Sequence, residues 1–190
     1  TSVKVFAKVC TNQPAFRCTA NKQAEADQAH NNDLAITAKA AVLIDNASGR
    51  ILYAKNKDKK LIPASITKIM TLLLIFESIE QGKCKLEDKG ETQDVNTMIK
   101  CISIASANDA AVAMAEHLAG SEQSFVKRMN KKAKALGMKH THFKNCNGLD
   151  DSIESGHYSS AYDVALMSQS LVSKYPDISK YSTVWMDAIC

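Results

Sequence analysis

The sequence predicts an α+β fold, in which a β-hairpin is packed by helices and is followed by an all-helical part. Three patterns indicate this fold. Two short segments, 38–45 and 50–56, flank a turn that contains Gly49. A nearly continuous apolar run follows at 69–76, and the segments after residue 94 carry the residues with which helices begin and end.

The hairpin is predicted from strand-forming residues on both sides of a turn. AKAAVLID (38–45) is rich in residues that favour strands, and RILYAKN (50–56) alternates apolar and polar side chains. Between them, NASG ends in Gly49, which can adopt the positive φ that tight turns require. We therefore expect two antiparallel strands.

The next element is predicted to be a buried helix. Pro63 lies where a helix can begin without losing a hydrogen bond, and the helix is expected to reach about Gly82. Its apolar residues occupy nearly the whole circumference, which is typical of a helix enclosed by other elements.

Further helices are predicted from their capping residues. They are 94–105 with Asp94 as N-cap, 109–120 ended by Gly120, a helix from Ser121 to Gly137, and a last one that begins at Ser159 or Ser160 and stops before Pro176.

Composition suits one globular domain, since 45% of the 190 residues are hydrophobic and the net charge is +4. We assign residues 34–190 to that domain and the polar residues 1–33 to an N-terminal extension or linker. Lys131, Lys132 and Lys134 are interpreted as a solvated helix face, so no nucleic-acid partner is expected. The longest apolar run is far shorter than the about 20 residues that cross a bilayer.

The cysteines and histidines favour no metal site. Six cysteines, at positions 10, 18, 84, 101, 146 and 190, match no zinc pattern, and scattered free or partly paired thiols are favoured over a full disulfide framework. His140 and His142 flank one threonine, but two histidines do not make a closed site. We expect neither a metal nor another cofactor.

The stretch PASITKIMTLLLIFE (63–77) places a serine and a lysine in front of an apolar run. In one interpretation Ser65 caps the helix and Lys68 is exposed; in the other Ser65 is a nucleophile and Lys68 removes its proton. Residues three apart share a helix face, so the lysine amine can reach the serine hydroxyl. Burial lowers the pKa of a lysine, and the partial positive charge at a helix N-terminus lowers it as well. For a second copy of the motif, SFVK (124–127), the capping interpretation is favoured.

The tripeptide SAN (106–108) lies in a predicted break between two helices. Ser106 and Asn108 can be two capping residues of a tight turn. Alternatively, the hydroxyl can relay a proton and the side-chain amide, both donor and acceptor, can hold a peptide group. The residues alone leave both interpretations open.

Taken together in this order, S-x-x-K and S-x-N resemble the first two signature motifs of serine β-lactamases and penicillin-binding proteins. Longer stretches are similar to the low-molecular-mass penicillin-binding proteins that are D-alanyl-D-alanine carboxypeptidases, over about residues 35–185. They are AKAAVLIDNASGRILYAKN, PASITKIMT, IASANDAAVAMAEHLAGSEQSFVKRMNKKAKALGMKHTHF and NGLDD…HYSSAYDVALM.

The resemblance implies a role for each motif residue. Ser65 would be the acylated nucleophile and Lys68 its general base. Ser106 would relay the proton to the leaving D-alanine, and Asn108 would bind the acyl-side amide of the substrate. The implied reaction removes the terminal D-alanine from peptidoglycan stem peptides that end in D-Ala-D-Ala, and β-lactam antibiotics would be acylating inhibitors.

The resemblance also implies an architecture and a location. The fold would be β-lactamase/transpeptidase-like, with an antiparallel sheet packed by helices beside an all-helical lobe. The location would be extracytoplasmic in a bacterium, secreted or associated with the cell envelope, although no signal peptide is visible at Thr1. Peripheral membrane association through a C-terminal region outside these residues is compatible with this interpretation.

Two features depart from the family pattern. No K-T-G or K-S-G occurs in the 190 residues, so only the N-terminal hairpin of the family sheet is expected. The connection KCKLEDKGETQDVN (83–96) is also shorter than the family usually has. We therefore expect a fragment or a naturally shortened member that by itself is a poor enzyme.

Two alternatives to an active carboxypeptidase remain at this stage. One is a catalytically impaired relative that binds wall peptide. The other, less favoured, is a class A-like β-lactamase, for which Glu154 would have to activate water, although the usual residues around such a glutamate are missing.

Overall fold

The computed structural model describes residues 36–88, 93–149 and 155–183, and the α+β prediction is confirmed. The strands are β1 (Ala41–Ile44) and β2 (Ile51–Lys55); the helices are α1 (Lys68–Glu80), α2 (Val95–Ser103), α3 (Asn108–Ala119), α4 (Glu122–Ala135), α5 (Ala161–Lys174) and α6 (Ser179–Ser182). Turns of 3₁₀ helix at Ala64–Thr67 and Pro176–Ile178 precede α1 and α6. The predicted extension, 1–33, lies outside the described residues, and the boundary at residue 34 stays a prediction.

The two strands form the predicted antiparallel hairpin. Ala41 lies opposite Lys55, and the regular register ends between Leu43 and Ile44. Gly49 has a φ of +72°, and its N–H donates to the Asp45 carbonyl at 2.8 Å, which closes the turn. The strands are shorter than the predicted segments, although just beyond them the Asp45 N–H still donates to the Arg50 carbonyl at 2.9 Å.

The hairpin is attached to α5 through small side chains. Ala40 and Val42 are buried against Ala161 and Ala165, and larger, partly buried side chains pack around these four: Ile44, Ile51, Leu61 and Tyr162. The turn is held as well, since the Gln169 side chain donates to the Asn46 carbonyl at 2.7 Å.

Helix α1 runs through the core, as its apolar circumference predicts. Met70, Leu73 and Ile75 have no exposed surface, and α1 packs against α2, α3, α4 and α5. The prediction of a regular helix from Pro63 is wrong in one respect. Ala64 has a left-handed φ of +48°, so the chain enters through a 3₁₀ turn and the α-helix begins only at Lys68.

Most predicted helix ends are confirmed. The N-cap side chains accept the expected backbone hydrogen bonds: Asp94 from Thr97, Ser121 from Ser124 and Ser160 from Asp163. Helix α3 ends at Gly120, which has a φ of +76°. Within the part of the chain that the structure describes, every helix is too short or too polar to cross a membrane.

Candidate active site

Ser65 and Lys68 are brought together by the change from 3₁₀ turn to α-helix. Ser65 lies in the turn and Lys68 is the first residue of α1, which leaves the Lys68 Nζ 3.4 Å from the Ser65 Oγ. Neither the turn nor α1 has a side-chain cap, so the interpretation of Ser65 as a helix cap is wrong. Lys68 is only 3% exposed, whereas Ser65 is exposed, and this places the amine beneath the serine.

Ser106 and Asn108 reach the same amine from the break between α2 and α3. Ser106 has a left-handed φ of +53°, which turns the chain toward α1. The Lys68 Nζ lies 3.3 Å from the Ser106 Oγ and 2.7 Å from the Asn108 Oδ1. Both serine oxygens therefore lie within 3.4 Å of one nitrogen, close enough for a proton to pass between them through it.

Burial determines the chemistry of this amine. It lowers the pKa of Lys68, because removal from water disfavours the charged form; the nearby Cys146 thiol has a smaller, opposite effect. The three groups that contact the amine are all neutral. A neutral amine has two N–H donors and one lone pair, so it can donate to Asn108 and Ser106 while it accepts the Ser65 proton.

A loop from Lys144 to Leu149 lies directly behind the Ser65 turn. Thr71 of α1 donates its hydroxyl hydrogen to the Cys146 carbonyl at 2.5 Å. A Cβ added to Gly148 would lie 1.8 Å from the Ala64 carbonyl oxygen, so only glycine fits this contact. No short spacing in the sequence marks this contact, because it arises between a loop and a helix more than 70 positions apart.

His157 also contacts the turn, although in the sequence it lies just before the helix that Ser160 caps. It is 4% exposed, and its Nε2 lies 2.9 Å from the Thr67 Oγ1. Its Nδ1 accepts a hydrogen bond from the Lys144 backbone N–H at 3.0 Å. Thr67 and His157 are 90 positions apart along the chain, so no local pattern could reveal their contact.

The other sequence candidates lie apart from these four side chains. Ser124 of the second S-x-x-K contacts Ser121, and Lys127 is exposed, as the capping interpretation requires. His140 lies 3.7 Å from the Asp58 carboxylate, and His142 contacts the Gly156 carbonyl. Within the described residues, Cys84, Cys101 and Cys146 are free thiols; the remaining cysteines and Glu154 lie outside them.

Comparison with known proteins identifies the family of the chain. The family model of the D-alanyl-D-alanine carboxypeptidases, peptidase family S11, matches residues 23–95 and 87–189. D-alanyl-D-alanine carboxypeptidase DacF of Bacillus subtilis is 48% identical over 183 residues, which cover 86% of this chain and 46% of the relative.

Two solved structures have the same fold. A peptidoglycan synthesis regulatory factor from Streptococcus pneumoniae is 28% identical with a TM-score of 0.76, covering 82% of this chain and 57% of the other. Penicillin-binding protein D2 of Listeria monocytogenes, in its ampicillin-bound form, is 29% identical with a TM-score of 0.71, covering 77% of this chain and 66% of the other.

The predicted family is therefore confirmed by sequence and by fold. The chain spans about half the length of the curated relatives it matches. The family model nevertheless covers both S-x-x-K and S-x-N, and the four side chains that it covers meet at one buried amine. This chain belongs to the D-alanyl-D-alanine carboxypeptidase family, peptidase S11.

Proposed function

We propose that the protein is a serine-type D-Ala-D-Ala carboxypeptidase that removes the terminal D-alanine of peptidoglycan stem peptides through an acyl-enzyme at Ser65. One observation carries the proposal: a single buried amine, that of Lys68, contacts Ser65, Ser106 and Asn108 at 3.4, 3.3 and 2.7 Å. Family membership supplies the substrate class.

Acylation begins when neutral Lys68 takes the Ser65 proton and the Ser65 Oγ attacks the carbonyl carbon between the two D-alanines. A C–O bond forms, and the C–N bond to the terminal D-alanine breaks as the tetrahedral intermediate collapses. The proton on Lys68 passes through the Ser106 hydroxyl to the leaving amine. Burial supports the first step, since it lowers the pKa of Lys68 and keeps more of the amine neutral.

Asn108 would hold the substrate with its other end. Its Oδ1 accepts from Lys68 at 2.7 Å, which leaves the Nδ2 group to donate to the carbonyl of the acyl-side amide. Asn108 thus orients the lysine and the substrate at once. A water molecule then hydrolyses the ester, its proton returns by way of Lys68 to the Ser65 Oγ, and the shortened peptide leaves.

The same proposal includes inhibition and location. A β-lactam presents a strained amide to Ser65 and would form a lasting ester, and a family relative has been solved with ampicillin bound. Because the substrate is part of the bacterial wall, the protein would act outside the cytoplasm, secreted or at the cell envelope.

The test is covalent labelling with a fluorescent penicillin, followed by mass spectrometry of the labelled peptide. It is run on this chain and on the same chain joined to the remaining half of the Bacillus subtilis relative. We expect an adduct on Ser65 and D-alanine release from a D-Ala-D-Ala peptide, both lost in Ser65→Ala. Rapid turnover of the penicillin would indicate a β-lactamase instead. No adduct in either protein would contradict the proposal.

A further inference from the structure

We propose that His157 is a positioning residue for acylation: it holds Thr67, and through Thr67 the relative placement of Ser65 and Lys68. The inference rests on the proposed function for its effect on rate. The geometry that the inference describes does not depend on the proposed function and can be tested separately.

The imidazole is enclosed and hydrogen-bonded at both nitrogens. His157 is 4% exposed and packs edge to face on Phe143, with ring centroids 5.9 Å apart. The Lys144 N–H can only donate, so the Nδ1 that lies 3.0 Å from it must accept. In the neutral ring the proton is then on Nε2, which donates to the Thr67 Oγ1 at 2.9 Å.

Thr67 is the part of the site that this bond controls. It has no exposed surface, and it is the last residue of the 3₁₀ turn, directly before Lys68 and two residues after Ser65. The backbone here changes from one helix type to the other, so a small rotation at Thr67 moves the serine oxygen relative to the amine. A misplacement of about 1 Å can cost on the order of 100-fold in rate.

The other nitrogen of the same ring connects this turn to the loop behind it. Lys144 begins the loop that leads to Gly148, and Gly148 lies against the Ala64 carbonyl with no room for a Cβ. Ala64 has a left-handed φ of +48°, a conformation that persists in a non-glycine residue only where its surroundings fix it. His157 thus fixes the turn from one side and the loop that presses on it from the other.

His157 is not assigned a chemical step. Its Nε2 is engaged with Thr67 and its Nδ1 with the backbone, whereas the Lys68 amine contacts Ser65, Ser106 and Asn108. A role by position makes a specific prediction: a side chain that replaces only the Nε2 donor should restore the site.

The variants separate the two nitrogens of the ring. In His157→Gln the side-chain amide can occupy the Nε2 position and donate to Thr67; in His157→Asn only an acceptor near the Nδ1 position remains. His157→Ala removes both. His142→Ala is the matched control, because His142 is an exposed histidine on the neighbouring bridge and contacts the Gly156 carbonyl.

The first readout needs no activity. Nitrogen NMR of the unmodified chain should show His157 with a protonated Nε2 and an unprotonated Nδ1. The Lys68 side-chain carbon signal should shift in His157→Ala and His157→Asn, and should return to the parent position in His157→Gln. His142→Ala should leave it unchanged. The opposite tautomer, or a Lys68 signal indifferent to all His157 variants, would overturn the proposal.

The second readout is the rate constant for acylation by a fluorescent penicillin. It is measured on whichever protein the penicillin labels, this chain or the chain joined to the remaining half of the Bacillus subtilis relative. We expect a loss of about 10- to 100-fold in His157→Ala and His157→Asn, and recovery to within about threefold in His157→Gln. Thr67→Val should cause a similar loss, and combining it with His157→Ala should add little. If His157→Gln and His157→Ala lose the same factor in acylation rate, His157 serves general stability and the proposal is refuted.

If the parent protein is never labelled, the proposed function is contradicted. The NMR comparison then tests the positioning role by itself.

Discussion

At the scale of single residues, the Lys68 amine lies below the surface while the serine hydroxyls on either side belong to exposed residues. Substrate can therefore reach Ser65 and Ser106, whereas water reaches the base poorly. This division allows one lysine to remain neutral part of the time and still act on an incoming peptide.

Lys68→Ala should lower the acylation rate by about 10²- to 10⁴-fold, the usual contribution of a general base. The fold should remain, since the apolar core residues of α1 lie beyond this position. Lys127→Ala is the matched control, because it removes the exposed lysine of the second S-x-x-K. Acylation of the Lys68 variant at the parent rate would show that another group is the base.

The pH dependence of the parent follows from the same amine. Burial lowers the pKa of Lys68 below its ordinary 10.5, so acylation should increase as pH rises through that lowered value. Between the lowered value and 10.5 the unfolded chain binds more protons at this site, so the contribution of Lys68 to stability also rises with pH there. Urea denaturation measured across this pH range should show the rise in the free energy of unfolding for the parent and not for Lys68→Met. An equal rise in the variant would show that a group other than Lys68 causes it.

The sequence contains enough to find the four motif residues but not the residues that support them. A serine and lysine three apart, followed by S-x-N, point to one chemistry through short spacings and a family resemblance. His157 acts on Thr67 across 90 positions, and its neighbours in the sequence indicate only a capping region. Contacts of this kind depend on how the loop from Lys144 to Leu149 packs on α1, which no local pattern specifies.

At the scale of elements, the loop from Lys144 to Leu149 and the turn from Ala64 to Thr67 behave as one unit. Gly148 lies so close to the turn that an added Cβ would be 1.8 Å from the Ala64 carbonyl oxygen. The sequence predicts a regular helix start here, because Pro63 and an apolar run normally indicate one. The left-handed Ala64 and the tight approach of the loop produce the 3₁₀ turn instead.

Gly148→Ala should therefore be much more harmful than the same change at Gly137. Both glycines have positive φ, +83° and +75°, so both substitutions cost about 1–2 kcal/mol of backbone strain. Only at Gly148 does the new Cβ meet backbone, 1.8 Å from the Ala64 oxygen, which adds about 1–3 kcal/mol. Chemical denaturation measures the difference, and acylation should fall in the first variant only. Equal losses of stability would mean that the loop moves away freely.

The helix ends were more predictable than this turn. Each cap is a contact over three residues, as between Asp94 and Thr97, so its signal is local. Helix α2 was predicted to reach residue 105 but ends at Ser103, because the chain turns at the left-handed Ser106, a conformation that has no marker in the residue type.

At the scale of the whole molecule, apolar burial is divided unequally. The large cluster is built around α1 and includes residues of every helix from α1 to α6. Among the described residues, the hairpin has a separate cluster of four buried side chains: Ala40, Val42, Ala161 and Ala165. Two strands alone are marginally stable, so the hairpin depends on this small contact with α5.

Hydrogen exchange should show the difference directly. Amide hydrogens of β1 and β2 should exchange through a local opening at a lower free energy than those in the centre of α1, which require global unfolding. Ala165→Gly should accelerate exchange in the strands while its effect on Leu73 and Ile75 follows global stability alone. Protection of the strands equal to that of α1 would show that the hairpin is part of the same cooperative unit.

The close approach of Gly148 to Ala64 also bears on how the protein can change under antibiotic selection. A single-base change at the first or second position of a glycine codon gives a stop or a residue that carries a Cβ, and any Cβ at residue 148 meets the Ala64 oxygen at 1.8 Å. Every one-step missense mutation at codon 148 therefore disturbs the turn that carries Ser65, and under the proposed function it would weaken D-alanine release together with acylation by a β-lactam. Mutants selected for slower acylation should thus keep glycine at this codon and vary elsewhere along the loop.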